Sequence, residues 1–225
     1  MLKVRNLKKF YGNKEVLKGI SFEVHRGEVV SLIGLSGAGK TTILRCLNDL
    51  EKCHEGYITI EGDSLIKQEG DISSYSSKEE IKRYKRKIGM VFQNFNLFPH
   101  LNVIENIIEG PVSVLKMDKN EAEKKAGELL KRINLEEKGK EYPFQLSGGE
   151  KQRIAIVRAC AMNPKVLCFD EPTSALDPDS KRQVGEIIKE LAKKDNRAVL
   201  IITHDVDFAK NISDRIIKIR EGKIV

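Results

Sequence analysis

The nine residues Gly34-Leu35-Ser36-Gly37-Ala38-Gly39-Lys40-Thr41-Thr42 constrain this chain more than any other segment. They fit the pattern G-x-x-x-x-G-K-[ST], and the flanking sequence supplies the context the pattern needs. The apolar run Glu28 to Ile33 reads as a short strand, and Gly39 to about Leu50 reads as a helix. Glycines let several backbone N–H groups converge on phosphate oxygens without Cβ clashes. The helix that starts there adds the positive end of its dipole. Lys40 supplies a point charge for the β- and γ-phosphates, and the Thr41 hydroxyl is a ligand for Mg²⁺. Ser36, Gly37, Ala38, Gly39, Lys40, Thr41 and Thr42 are therefore the expected phosphate contacts. The competing reading, an ordinary Gly-rich turn, does not explain the lysine and hydroxyl at those spacings.

A second segment complements the first. Val166-Leu167-Cys168-Phe169-Asp170-Glu171 is an apolar strand ending in two carboxylates. Asp170 at the strand end can hold Mg²⁺, and Glu171 can polarise an attacking water. Alone, this would equally suit a solvated acidic turn; beside a phosphate loop the catalytic reading prevails. His204 follows the apolar strand Val199 to Thr203, at the end where parallel sheets bind ligands. A helix cap or a surface residue is the alternative for a lone histidine.

The pattern between these segments predicts the fold class. Val4–Tyr11 and Val16–Val24 alternate around a turn at Gly12-Asn13, and Gly56–Glu61 is another strand. Ser73–Ser77 is polar and is expected to be a loop; Lys78–Arg86 is expected to be a basic helix and Ile88–Phe92 a strand. Asn120–Ile133 carries apolar residues at helical spacing, with Asp118 and Glu121 as a loose capping box. Ser147–Met162 is expected to be a helix opened by the capping box Ser147-Gly148-Gly149-Glu150. Helix Ser180–Lys193, strand Ala198–Ile202, helix Val206–Ile212 and strand Arg215–Ile219 complete the alternation. Strands alternating with helices predict an α/β fold with a mostly parallel sheet and helices on its faces.

Charge and composition exclude some roles. No apolar run approaches the roughly 18–20 residues of a membrane helix. The N-terminus lacks the apolar stretch of a signal peptide. Cys46, Cys53, Cys160 and Cys168 show no CxxC spacing and the four histidines no metal-site spacing, so the thiols are expected to be structural, in a reducing compartment. The net charge of +7 leaves open nucleic acid, a phosphorylated ligand or an anionic surface. Its densest source, Lys82-Arg83-Tyr84-Lys85-Arg86-Lys87, is read first as a solvated helix face and second as contact with a membrane partner or lipid headgroups. No base-reading motif or aromatic-interleaved patch supports nucleic acid.

At Leu146-Ser147-Gly148-Gly149-Glu150-Lys151-Gln152-Arg153 the chain resembles the signature sequence of ATP-binding cassette (ABC) ATPases. Other segments arrive in that family's order. Tyr11 resembles the aromatic residue that stacks on adenine, Gln93 the Q-loop glutamine, Ser174-Ala175-Leu176-Asp177 the D-loop, and His204 the switch histidine. Val91 to Leu101, with Phe92-Gln93-Asn94-Phe95-Asn96-Leu97-Phe98-Pro99-His100, looks like the Q-loop region of ATPases from polar amino-acid importers. Lipoprotein-releasing and macrolide-type exporter ATPases share much of that string and are the nearest alternative. A soluble nucleic-acid-associated ABC ATPase is the alternative from another class; the short helical insert, without long coiled-coil arms, argues against it.

The resemblance implies one ABC ATPase domain over 1–225, a P-loop NTPase core with an N-terminal antiparallel β subdomain and a helical insert at roughly 94–162. It implies that two copies pack head to tail around two ATPs with Mg²⁺. Ser147, Gly148 and Gly149 of one copy would meet the γ-phosphate held by the other, with Asp177 bordering the same interface. Gln93 would help coordinate Mg²⁺ and water and link the site to the helical insert. The implied partners are integral membrane permease subunits and, indirectly, an extracytoplasmic solute-binding protein. The implied location is peripheral, on the cytoplasmic face of the cell membrane. Two departures stand out. The family commonly has Gln where this chain has Glu150, a change expected to cost at most a few tenths of a kcal/mol. The chain also stops at Val225, where ATPases of this group usually continue for about one more short helix.

Overall fold

Strand alternation near the N-terminus builds the first of two sheets in the computed structural model, which describes residues 1–70 and 72–225. Strands β1 (Leu2–Tyr11) and β2 (Lys14–Val24) form an antiparallel hairpin across the Gly12-Asn13 turn. Leu2, Val4 and Leu7 on β1 and Leu17, Ile20 and Val24 on β2 are buried, so the alternation in sequence becomes one apolar face. The hairpin is irregular near its tip: Lys9 pairs with Leu17 but Phe10 with Glu15, leaving Val16 as an extra residue on β2.

The second sheet begins with β3 (Val29–Ile33), buried at all five positions, which leads into helix α1 (Lys40–Leu47). Strands β4 (Glu55–Ile60), β5 (Asp63–Glu69) and β6 (Ile72–Tyr75) return to the first sheet, whose order is β2-β1-β4-β5-β6. Helix α2 (Lys78–Arg86) and strand β7 (Ile88–Val91) lead to three helices: α3 (Val103–Ser113), α4 (Lys119–Arg132) and α5 (Gly148–Ala161). Then β8 (Val166–Asp170), α6 (Pro178–Lys193), β9 (Ala198–Thr203), α7 (Val206–Ile212), β10 (Arg215–Arg220) and β11 (Lys223–Ile224) complete the chain. The second sheet has the order β11-β10-β3-β9-β8-β7, parallel from β10 to β7. Strands buried on both faces read as continuous apolar runs, as Val166–Asp170 and Ala198–Thr203 do.

Three apolar clusters hold these parts. The first joins the antiparallel sheet to α1 and one face of the parallel sheet; the second covers that sheet's other face with α5, α6 and α7; the third lies among α3, α4 and α5. Helix α5 serves two of them: Ala155, Ile156 and Cys160 face the sheet while Ile154, Val157 and Ala161 face the other helices. The four thiols are free and buried; burial pushes Cys160 to about 11 and Cys168 to about 12.

Several local expectations change. The polar stretch at Ser73–Ser77 lies partly in strand β6, paired with β5, itself unassigned from sequence. Helix α1 ends at Leu47 instead of Leu50, because Asn48 turns its amide back to the Leu44 carbonyl and Asp49 takes φ +54°. Asp118 caps α4 through Asn120 and Glu121, with no return bond from Glu121 among the described residues. The basic cluster on α2 is only partly paired: Arg83 and Lys87 share Asp63 at 3.1 and 2.8 Å, and Lys85 reaches Asp49, which Lys52 also holds, at 3.6 Å. Among the described residues Lys82 and Arg86 have no carboxylate partner and are exposed.

Gly222, in the β10–β11 turn, straps the end of the chain onto the phosphate loop. Its N–H donates to the Ala38 carbonyl at 3.1 Å, and its carbonyl accepts from Lys18 N–H at 2.9 Å. Its φ is +79° and a Cβ there would collide with the Val16 carbonyl. Gly222→Ala should therefore lower unfolding free energy by about 2 kcal/mol in urea denaturation, combining left-handed strain with a backbone clash.

Candidate functional site

Parallel register sets the site. Ile33 lies opposite Thr203, Asp170 opposite Ile202, and Val91 opposite Phe169. The chains leaving β3, β9, β8 and β7 therefore emerge on one edge of the sheet, carrying the phosphate loop, His204, Glu171 and Gln93. These line a cleft of about 470 Å³, with Ser36, Gly37, Gly39, Lys40, Thr41, Thr42 and Val16 as its other walls.

The loop conformation follows from its glycines and its lysine. Gly39 takes φ +102° and packs so closely on β2 that a Cβ would lie 2.9 Å from Leu17 Cδ2. Lys40, only 7% exposed, donates through Nζ to the carbonyls of Gly34 at 2.8 Å and Leu35 at 3.1 Å. These bonds hold the ammonium inside the curve of the loop, where the N–H groups opening α1 also point. Ala38, buried at the back, carries the strap from Gly222.

Beside Thr41 and outside the cleft lining, Asp170 is nearly buried, and its carboxyl sits above the ordinary aspartate range, chiefly because of burial and next because of Glu171. The Thr41 hydroxyl donates to Asp170 Oδ1 at 3.4 Å and opposes that shift, as do Arg45 and Lys40. A buried carboxylate short of positive charge, beside a hydroxyl and a phosphate loop, suits Mg²⁺, which takes few protein oxygens and completes its shell with phosphate and water. Among the described residues no group of three or more His, Cys, Asp or Glu forms an all-protein metal cage.

Glu171 is held in the left-handed region, φ +48°, with its N–H bonded to the Ile202 carbonyl at 2.9 Å. Such strain in a non-glycine residue costs of order 1–3 kcal/mol and concentrates at functional sites. Its Oε2 lies 2.9 Å from His204 Nδ1 and 3.3 Å from His204 N–H. The carboxylate is mostly shielded while the imidazole is 69% exposed, so His204 orients the acid from the open side.

The remaining expected residues lie elsewhere. Ser147 caps α5, accepting from Glu150 N–H at 3.2 Å while Glu150 Oε2 accepts from Ser147 N–H at 2.7 Å. The Ser147 hydrogen bond first of all keeps the Glu150 carboxyl below its ordinary range, so Glu150 closes the box as an anion. Among the described residues no acceptor reaches the N–H of Gly148 or Gly149. Asp177 caps α6 through Ser180 N–H at 3.0 Å. Neither Ser147, Gly148, Gly149 nor Asp177 lines the phosphate cleft. Tyr11, at the end of β1, is 43% exposed and also lies outside it. Two participants escaped the sequence reading. Val16 walls the cleft only because β2 is bulged there. Lys9 sits 4.7 Å from the centre of the Tyr11 ring, a neighbourhood that strand period alone could have flagged.

Comparison with known proteins places this geometry in a family. The family described as "ABC transporter" matches residues 17–174. The arginine transport ATP-binding protein ArgV of Corynebacterium glutamicum is 46% identical over all of this chain and 89% of its own length. The arginine transport ATP-binding protein ArtM of Bacillus subtilis is 48% identical over all of this chain and 90% of its own length. Among solved structures, a dimeric ATP-binding cassette in a post-hydrolysis state, bound to ADP and Pi, superposes with a TM-score of 0.83. It is 36% identical, and the match covers all of this chain and 96% of that one.

Removing the loop cation tests the cleft directly. Lys40→Ala should weaken ATP binding about ten- to a hundredfold by calorimetry, the loss of one charge-assisted hydrogen-bond centre. Thermal unfolding of the variant, compared with the wild type, separates this loss from loosening of the loop that Lys40 holds through Gly34 and Leu35.

Proposed function

The chain belongs to the ABC transporter ATPase family, and from that premise we propose that it powers import of a polar amino acid through a separate membrane permease. The observation that carries the reading is the convergence of Lys40, Gln93, Glu171 and His204 on one cleft. The arginine-transport relatives favour an amino acid as the solute class and import over lipoprotein-releasing or macrolide-type export. The internal pairing of the α2 cations weighs against a nucleic-acid role.

Each residue has a task in ATP hydrolysis. Lys40 and the loop N–H groups bind and orient the β- and γ-phosphates. Thr41 and Asp170 would hold Mg²⁺, with Gln93 beside them, and an ion there would supply positive charge to the bound phosphates. Glu171 accepts a hydrogen bond from the attacking water, and His204 keeps that carboxylate aimed. Ser147, with the free N–H groups of Gly148 and Gly149, presents a helix N-terminus suited to a γ-phosphate. Because that end lies outside the cleft of its own copy, a second copy packed head to tail supplies it, with Asp177 beside it.

The permease reads the site through the segment after Gln93. Asn106 accepts from Phe98 N–H at 2.8 Å and donates to the Phe98, Leu101 and Asn102 carbonyls. Arg158 on α5 holds the carbonyls of Phe95 and Asn96. Phe92, Phe98, Met90 and Met162 line an adjoining groove of about 480 Å³, rimmed by Lys85 and Glu109. A cytoplasmic segment of the permease seated there would feel any movement of Gln93 and of α5, which opens at Ser147. The protein thus sits peripherally at the cytoplasmic face of the membrane, with a solute-binding protein on the far side; no helix among the described residues is long and apolar enough to cross.

Reconstitution with the permease in proteoliposomes tests this reading. ATP should drive uptake of at least one polar amino acid. Glu171→Gln should keep ATP affinity within about twofold, accumulate an ATP-bound dimer in gel filtration, and abolish uptake. Hydrolysis by the wild-type complex without uptake across a full amino-acid panel would remove the import reading.

A further inference from the structure

Lys9 is a charged residue with almost no access to water. It is 6% exposed, on β1 two residues before Tyr11, so both side chains leave the same face of the strand. Its Nζ lies 2.9 Å from Glu51 Oε1, 2.6 Å from the Lys52 carbonyl and 4.7 Å from the Tyr11 ring centroid. Three partners therefore fix one ammonium against one face of an otherwise half-exposed ring. Glu51 is itself anchored: its N–H donates to the Arg45 carbonyl at 3.2 Å, just beyond the end of α1. The acid that holds Lys9 is thus tied back to the helix that begins with Lys40 and Thr41.

Stability alone does not account for this arrangement. Replacing a buried ion pair with apolar residues of similar size is often neutral or stabilising. The pair is also nearly neutral as a unit, so it adds little field at the phosphate loop. Its specific effect falls on Tyr11. An ammonium over one face of a phenol attracts the ring, restricts its rotation and leaves only the opposite face for stacking. It also draws electron density from that open face, which favours an electron-rich purine.

We propose that Lys9, held by Glu51, is a positioning residue that presets Tyr11 as the platform for the adenine base. The inference rests on the reading of Tyr11 as the adenine contact and deepens it. It makes base recognition depend on an ion pair between a buried lysine and a partly exposed acid, outside the phosphate cleft, and it connects that recognition to the helix carrying the phosphate contacts.

The test separates base from phosphate. Calorimetry on the full chain compares ATP, ADP and tripolyphosphate, which has the phosphates and no base. Lys9→Met should weaken ATP and ADP roughly three- to tenfold, and tripolyphosphate by less than about twofold. Retained tripolyphosphate binding also shows that the variant folds. Should the orphaned Glu51 unfold it, Lys9→Met/Glu51→Met removes both charges and should give the same pattern. Tyr11→Leu should weaken ATP selectively, and Lys9→Met added to Tyr11→Leu should have no further effect, because the two act through one ring. Equal weakening of ATP and tripolyphosphate by Lys9→Met would make Lys9 a general electrostatic contributor and overturn the proposal. If Tyr11→Leu is selective and Lys9→Met leaves ATP unchanged, the positioning role falls while the platform stands. If Tyr11→Leu is not selective, both fall.

Discussion

The parallel register of β7, β8, β9 and β3 is the constraint on which the site depends. Hydrogen bonding holds neighbouring strands about 4.8 Å apart, and parallel direction sends every strand's carboxyl end to the same edge. With Ile33 opposite Thr203 and Asp170 opposite Ile202, groups separated by about 170 residues of chain become neighbours. A cation, an acid, an amide and an imidazole then line one cleft, with Glu171 and His204 directly at their strand ends and Lys40 brought in by the loop after β3. Much else in the fold guards that edge. The antiparallel sheet closes on α1, Val16 walls the cleft, and Gly222 ties the β10–β11 turn to the loop carbonyl of Ala38.

Helix α5 transmits what happens at the edge. It is apolar on two sides, because it must pack on the parallel sheet and on α3 and α4 together. Its first turn presents Ser147 and two free N–H groups, and its far part holds the segment that follows Gln93 through Arg158. On the proposed reading, a rigid rod with a phosphate-binding end and a grip on the Gln93 segment would convert the presence of a γ-phosphate into a displacement. This is an order-and-position switch of the kind nucleotide-dependent proteins use. Because the same rod keeps Ser147 out of its own copy's cleft, the proposed reading gives each chain two unlike halves of a site.

What the sequence made legible were short motifs whose chemistry is local. The phosphate loop, the strand-end acids Asp170 and Glu171, and the Ser147–Glu150 capping box each depend on residues within ten positions of one another. Features set by distant partners were opaque. Ser73 and Tyr75 read as polar loop because their ordering groups lie elsewhere: Gly56 N–H donates to Ser73 Oγ, and Cys53 N–H to Tyr75 Oη. Helix α3 has no counterpart in the sequence reading, and Gly110 and Pro111 near its end are poor helix formers. Gly110 is there for close approach to α5: a Cβ would lie 2.8 Å from Met162 Sδ. Lys9 read as one more cation in a basic chain until Glu51, reached only through the tertiary fold, gave it a fixed address. The cations behind the +7 balance thus have different addresses: Lys40 at the phosphate loop, Arg83 and Lys87 beside Asp63, and Lys82 in solvent.

The central claim is that each active site is shared between two copies, and mixing two crippled variants tests it most directly. Lys40→Ala removes the phosphate cation, and Ser147→Arg blocks the opposing helix end; each alone should hydrolyse almost no ATP. In a mixed pair, one site receives an intact Lys40 from one copy and an intact Ser147 from the other. Phosphate release from the equimolar mixture should rise well above that of either variant alone, in proportion to the mixed pairs formed. A mixture no more active than the variants measured separately would place the whole site within one chain and contradict the account.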